Sequence, residues 1–92
     1  MKVNEYFDGQ VKSISYHTGD QNASVGVMEA GSYQFNTGAP EVMRVITGAL
    51  TIRLAGEMDW VTYTAGQAFD VPGDSSFDVK VESSTSYLCT YG

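Results

Sequence analysis

One cysteine, one histidine and two prolines are all that this 92-residue chain holds of the residue types that cross-link, ligate or interrupt. A lone Cys89 excludes an internal disulfide, and Cys89 with His17 falls short of the ligand sets that usually hold zinc or iron. Basic residues are scarce too, 5 Lys and Arg against 11 Asp and Glu for a formal charge of −6. No positive field exists to collect phosphate backbones, so nucleic acid is not an expected partner. No apolar run approaches the roughly 20 residues that span a bilayer, which argues against a membrane partner. Met1 to Phe7 mixes Lys2, Asn4 and Glu5 without a signal-type apolar stretch, and the expected location is cytoplasmic. Repeats, linkers and charge runs are also missing, so residues 1–92 are read as one domain with one core.

What the chain does have is glycine, ten of them, punctuating short stretches in which apolar and polar side chains alternate. That period-2 pattern marks strands with one buried face. Phe77, Val79 and Val81 alternate with Asp78, Lys80 and Glu82, and Leu50, Ile52 and Leu54 with Thr51 and Arg53. Phe69 and Val71 bracket Asp70, and Tyr33 and Phe35 bracket Gln34. Residues 42 to 47 differ, since Met43 and Val45 load one face while Val42 and Ile46 load the other. A strand apolar on both faces asks for cover from a second layer or a second subunit. Turn clusters at 18–22, 30–31, 37–40, 47–48, 55–57, 65–66 and 72–74 divide the chain into about nine strands with no long helix. An all-β fold, a small antiparallel jelly-roll barrel, follows from that count because closing the sheet removes exposed edges.

Two stretches carry a resemblance. Glu41 precedes Gly48 with six residues between them, an acidic residue, an apolar strand and a glycine turn, which is similar to the end of the first cupin motif. Gly66 followed after five residues by Pro72-Gly73 is similar to the second. Metal-binding cupins place a histidine pair just before the glutamate; this chain has Thr37-Gly38-Ala39-Pro40 there, and Asp74-Ser75-Ser76-Phe77 after Pro72-Gly73. The resemblance therefore implies a cupin without imidazole ligands. A closer one runs through Asn4-Glu5-Tyr6-Phe7, Val11-Lys12-Ser13-Ile14, Ala23-Ser24-Val25-Gly26-Val27-Met28, Pro40-Glu41, Gly48-Ala49-Leu50 and Ser86-Tyr87-Leu88-Cys89 with Tyr91. In order and spacing these segments resemble the bacterial pyrimidine/purine nucleoside phosphorylase family. The resemblance implies metal-free cleavage of nucleosides by inorganic phosphate as co-substrate, with no cofactor, in a small homodimeric barrel.

That chemistry needs an anion cradle, an acceptor for ribose hydroxyls and an apolar slot for the base. Thr37, Gly38, Ser75 and Ser76 offer turn amides and hydroxyls for phosphate. Glu41 is the candidate catalytic acceptor, its charge favouring a sugar that turns cationic. Phe77, Tyr87 and Tyr91, with Phe35, Met43 and Phe69, are candidates to line the slot. Tyr87, Cys89 and Tyr91 share a strand face, and inward tyrosine hydroxyls need partners, which favours a polar cavity over a dry core. Cys89 itself reads as a small buried hydrophobe. Lys12 shares its phase with Ile14 and Tyr16; if that face is interior it brings a cation to the phosphate, and otherwise it surfaces. Trp60 and Tyr63 are expected to close the barrel end, and the segment with Tyr6 and Phe7 to pack on a neighbouring subunit. The alternative function is a non-catalytic, metal-free cupin that binds a small ligand.

Overall fold

A computed structural model describes residues 1–92 as ten strands and no helix, so none is long and apolar enough to cross a membrane. In chain order these are β1 (Lys2–Tyr6), β2 (Val11–Thr18), β3 (Gln21–Met28), β4 (Gly31–Asn36), β5 (Glu41–Thr47), β6 (Ala49–Leu54), β7 (Val61–Thr64), β8 (Ala68–Val71), β9 (Ser76–Val81) and β10 (Thr85–Tyr91). They form two antiparallel sheets, a six-stranded one in the order β1-β2-β3-β10-β5-β8 and a four-stranded one in the order β4-β9-β6-β7. This is the expected all-β jelly roll, with one more strand than the count of about nine.

Turn chemistry accounts for the difference. Phe7, Asp8 and Gly9 all adopt positive φ, at 53°, 56° and 83°, and reverse the chain between β1 and β2. Asp8 and Gly9 are types that tolerate the left-handed region and Asp-Gly is an ordinary turn signal, one absent from the turn clusters counted above; only Phe7 is unusual there. Between β5 and β6, by contrast, Gly48 sits at φ 91°, and a Cβ there would run into the Thr85 hydroxyl. Thr85 in turn accepts from the Ala49 amide at 3.2 Å and donates to the Ala49 carbonyl at 3.1 Å, fixing the turn against β10.

The alternation behaves as the residue types dictate in most strands. Phe77, Val79 and Val81 are buried with Leu50, Ile52, Met43, Val45, Phe69 and Val71 in one core between the sheets. The inner row of β5 is Met43 and Val45, while Val42 and Ile46 face outward and stay exposed. β2 departs from the rule. Its inner row is Val11, Ser13 and Ser15, and Ile14 and Tyr16 lie on the outer face, 42% and 37% exposed. Lys12 therefore points out, 3.5 Å from Glu5 Oε1, and does not enter the interior.

Along one side the two sheets are joined by side chains. Tyr6 meets Phe35 edge-on at 6.4 Å between centroids, and Phe7 contacts Tyr33 at 5.0 Å and Phe35 at 5.5 Å. The N-terminal aromatics thus pack on their own chain. At the other end Tyr63 covers Phe69 at 4.8 Å, in line with its expected closing role. Trp60 lies instead on the outer surface of the four-stranded sheet, with Arg53 4.7 Å and Lys80 3.9 Å from its ring centroid.

Candidate active site

Between the sheets, next to the β1 and β4 edges, the core gives way to a cavity of about 540 Å³. One wall is the inner face of the six-stranded sheet, presenting Ser13 and Ser15 from β2, Ser24 from β3, Tyr87, Cys89 and Tyr91 from β10, and Glu41 from the start of β5. The opposite wall is aromatic: Phe35 on β4 and Phe77 on β9 are paired across the strands and stack at 5.6 Å and 28°. Met28 and Met43 complete the apolar part, and Tyr6 and Phe7, each 44% exposed, stand at the rim.

The polar wall follows from strand register. Ser13, Gly26 and Tyr87 align across β2, β3 and β10, and Ser15, Ser24 and Cys89 form the next row. Gly26 makes the first row possible. A Cβ at that position would lie 2.6 Å from the Tyr87 hydroxyl and 2.7 Å from the Lys12 carbonyl oxygen, so only glycine lets the ring lie across β3 towards Ser13. Tyr87 is buried there with its phenol beside the Ser13 hydroxyl, and burial pushes its pKa up to about 12. It remains a protonated donor throughout the neutral range.

Glu41 is half-buried and pairs in register with Tyr91 on one side and Val71 on the other. Its carboxylate accepts from the Cys89 thiol, Sγ to Oε1 3.5 Å. Burial raises the Glu41 pKa above the usual carboxylate value and the thiol contact pulls it back. Cys89 responds in the opposite sense: burial, then the nearby Glu41 charge and hydrogen bond, raise its thiol to about 12. The thiol is thus a neutral donor that touches the carboxylate, beyond the plain hydrophobe expected of it. No lysine, arginine or histidine lines the cavity. His17 contacts Asn22 at 2.8 Å on the surface, and Arg44 donates to the Gly66 carbonyl at 2.8 Å on the outer face.

Of the residues singled out from the sequence, Glu41, Met43, Phe77, Tyr87 and Tyr91, with Phe35, line this one cavity. Thr37, Gly38, Ser75, Ser76 and Phe69 do not. The Thr37 hydroxyl is already committed, donating to the Pro72 carbonyl at 2.7 Å and accepting from the Ser75 amide at 3.0 Å, and the Gly38 carbonyl accepts from the Asp74 amide at 2.9 Å. These turns brace each other. Ser13, Ser15 and Ser24 were passed over as functional residues, although two of them sit inside segments that carried the family resemblance.

Arranged in this way, the cavity pairs an acid-bearing, hydroxyl-rich wall with an aromatic wall, on a two-sheet scaffold of cupin type. A cupin from Shewanella frigidimarina superposes with a TM-score of 0.76 at 18% identity, covering 98% of this chain and 81% of its own, which is a likeness of fold. The chain belongs to the pyrimidine/purine nucleoside phosphorylase family, whose model matches residues 1–91. A pyrimidine/purine nucleoside phosphorylase of Shewanella pealeana is 62% identical over 92 residues, all of this chain and 99% of that one. Another from Vibrio cholerae is 55% identical over 91 residues, 99% and 96% of the two chains. A crystal structure of a Vibrio parahaemolyticus protein of unknown function matches with a TM-score of 0.96 at 50% identity, covering 99% of this chain and 97% of that one.

Proposed function

We propose that this protein cleaves purine and pyrimidine nucleosides with inorganic phosphate, releasing free base and ribose 1-phosphate without a metal ion. In that reaction the bond from ribose C1′ to the base nitrogen breaks with its electron pair leaving on the base, and a phosphate oxygen forms the new bond to C1′. The sugar passes through oxocarbenium character. The observation that carries the reading is one carboxylate, Glu41, set in a cavity whose facing wall is a stacked phenylalanine pair, in a chain of this family. Glu41 accepts the ribose hydroxyls and its negative charge favours the cationic sugar. Phe35 and Phe77, with Met43 and Tyr91, hold the base by its faces, which purines and pyrimidines share. Tyr87 supplies a neutral phenol donor at the cavity wall.

One carboxylate and one thiol without an imidazole make a poor ligand set for zinc or iron, which supports metal independence. The working unit in this reading is a homodimer in the cytoplasm. Val3, Ile14, Val25, Val42 and Ile46 all face outward and exposed from the six-stranded sheet, and a domain of this size gains from burying such a face against a second copy. Sedimentation at micromolar concentration reads the dimer directly.

Protein incubated with phosphate and uridine or adenosine is expected to release base at a rate that EDTA leaves unchanged. No release from a panel of nucleosides overturns the reading, and release abolished by EDTA removes its metal-free part. Stabilisation by nucleoside with no phosphate-dependent turnover points to the ligand-binding cupin instead.

A further inference from the structure

The three serines of the polar wall occupy inward strand positions where a packed jelly roll would carry aliphatic side chains. A hydroxyl in such a place costs stability unless it is hydrogen-bonded. Asn4, the inward residue of the edge strand β1, provides the bonds: its amide nitrogen donates to Ser15 Oγ at 2.8 Å and to Ser13 Oγ at 3.4 Å. An amide NH₂ group can only donate, so both serines receive as acceptors and keep their own protons to give. Ser13 lies against Tyr87. Ser15 makes no further side-chain hydrogen bond, and Ser24, its register partner on β3, stands between it and Cys89. Ser15 is thus anchored from behind by Asn4, Ser24 beside it in the same row lies against the Cys89 thiol, and both line the cavity.

Phosphate offers almost nothing but acceptor oxygens, and it is best held by groups that only donate. The cavity contains no cation, and Thr37, Gly38, Ser75 and Ser76 do not line it, the Thr37 hydroxyl and the Ser75 amide being bonded to each other. Spacing adds a second constraint. β2, β3 and β10 are consecutive in the sheet, so Ser24 and Ser15 sit one and two strand spacings, roughly 5 and 10 Å, from the Cys89 strand at about 4.8 Å per strand, and Glu41 adjoins Cys89. An anion held towards the Ser15 end of this row, with Ser24 on its Cys89 side, stands away from the Glu41 charge and leaves room for a ribose to reach the acid. We propose that Ser15 and Ser24 form the phosphate subsite, with Asn4 as the positioning residue that turns the Ser15 proton into the cavity. The assignment rests on the phosphorolysis reading for the identity of the anion.

The test uses inorganic phosphate as the probe. Phosphate binding is measured on the wild type and on Ser15→Ala/Ser24→Ala by calorimetry without nucleoside, and the phosphate and nucleoside KM values are measured separately. Losing hydrogen bonds to a charged ligand is expected to weaken phosphate binding and raise its KM at least about tenfold, with nucleoside KM within about twofold of wild type. Asn4→Asp replaces the donor with an acceptor that draws the Ser15 proton away from the cavity, and is expected to weaken phosphate to a similar degree. Thermal melts verify folding, and the two single serine variants carry the test if the double variant does not fold. Unchanged phosphate affinity in folded variants overturns the subsite, as does a wild type that fails to bind phosphate. A wild type that binds phosphate through these serines yet cleaves no nucleoside upholds the subsite and overturns the enzymatic reading; turnover with an unaltered phosphate KM does the reverse.

Discussion

The two walls of the cavity are made of the same kind of element and do opposite jobs. On the six-stranded sheet the inward residues near the mouth are Ser13, Ser15, Ser24, Tyr87, Cys89 and Glu41; on the four-stranded sheet they are Phe35 and Phe77. One wall is built from hydroxyls, a thiol and a single carboxylate, the other from ring faces with Gln34 and Asn36 of β4 at its edge. A nucleoside divides along the same line, with a hydroxylated sugar at one end and a flat base at the other. In the proposed reading, placing the polar chemistry on β2, β3, β10 and β5 would let one continuous ladder fix the sugar and anion contacts, while the aromatic wall would need only area and flatness. Tolerance of different bases then follows from stacking, which any ring system satisfies.

Breaking the polar wall at its acid gives the largest expected effect. Glu41→Gln should lower kcat/KM by on the order of 100-fold, the scale of a lost transition-state contact, with folding intact by melt and circular dichroism. The same variant has a signature in stability. Burial raises the native Glu41 pKa above its unfolded value, so the native state favours the protonated acid and stability falls as pH rises through the native pKa. Glu41→Gln is therefore expected to melt above wild type at pH 7, and the difference should shrink as pH drops below the carboxylate range. In wild-type kinetics the acid limb of kcat/KM should lie above the ordinary glutamate range, and it should vanish in the variant.

Gly26→Ala attacks the wall from behind. Its Cβ would have to displace the Tyr87 ring or the β2 backbone, and overpacking of this kind costs about 1 to 3 kcal/mol, so melting should fall by about 4 to 8 °C for each kcal/mol. Breaking the aromatic wall comes next. Phe35→Leu keeps bulk but loses the ring face, and nucleoside KM should rise about tenfold, within the range for base stacking, while the phosphate KM stays unchanged. A rise in both would show that the walls do not divide the substrate as argued. The smallest effect belongs outside the cavity: Trp60→Leu removes the ring held between Arg53 and Lys80 and should cost on the order of 1 kcal/mol, at about 0.5 to 1 for each exposed cation contact, with both KM values unaltered.

Comparison of β9 with β2 shows how far the sequence could be read. In both, apolar and polar side chains alternate, and for β9 the apolar row of Phe77, Val79 and Val81 is inside, as the hydrophobic effect requires. In β2 the row with Ile14 and Tyr16 is outside and the serines are inside, because the interior at that point is a wet cavity. Alternation reveals which residues share a face, and it assigns the apolar face to the interior only where the interior is dry. Lys12 was placed by that same logic and followed Ile14 outward. Glu41, Tyr87 and Tyr91 were legible because a strand-start acid and paired inward tyrosines have no use in a dry core. The β1–β2 turn was legible too, in Asp8-Gly9, and was passed over; only Phe7 is unusual in the left-handed conformation it adopts.

β1 contributes Asn4 to the polar wall and Tyr6 to the rim, yet none of its five residues is buried. The same short strand that borders the cavity thus also ties the two sheets together through Tyr6 and satisfies two inward serines through Asn4. Changes at Asn4, Tyr6 or Phe7 therefore reach stability and cavity together, whereas those at the exposed Lys2, Val3 and Glu5 leave both largely untouched.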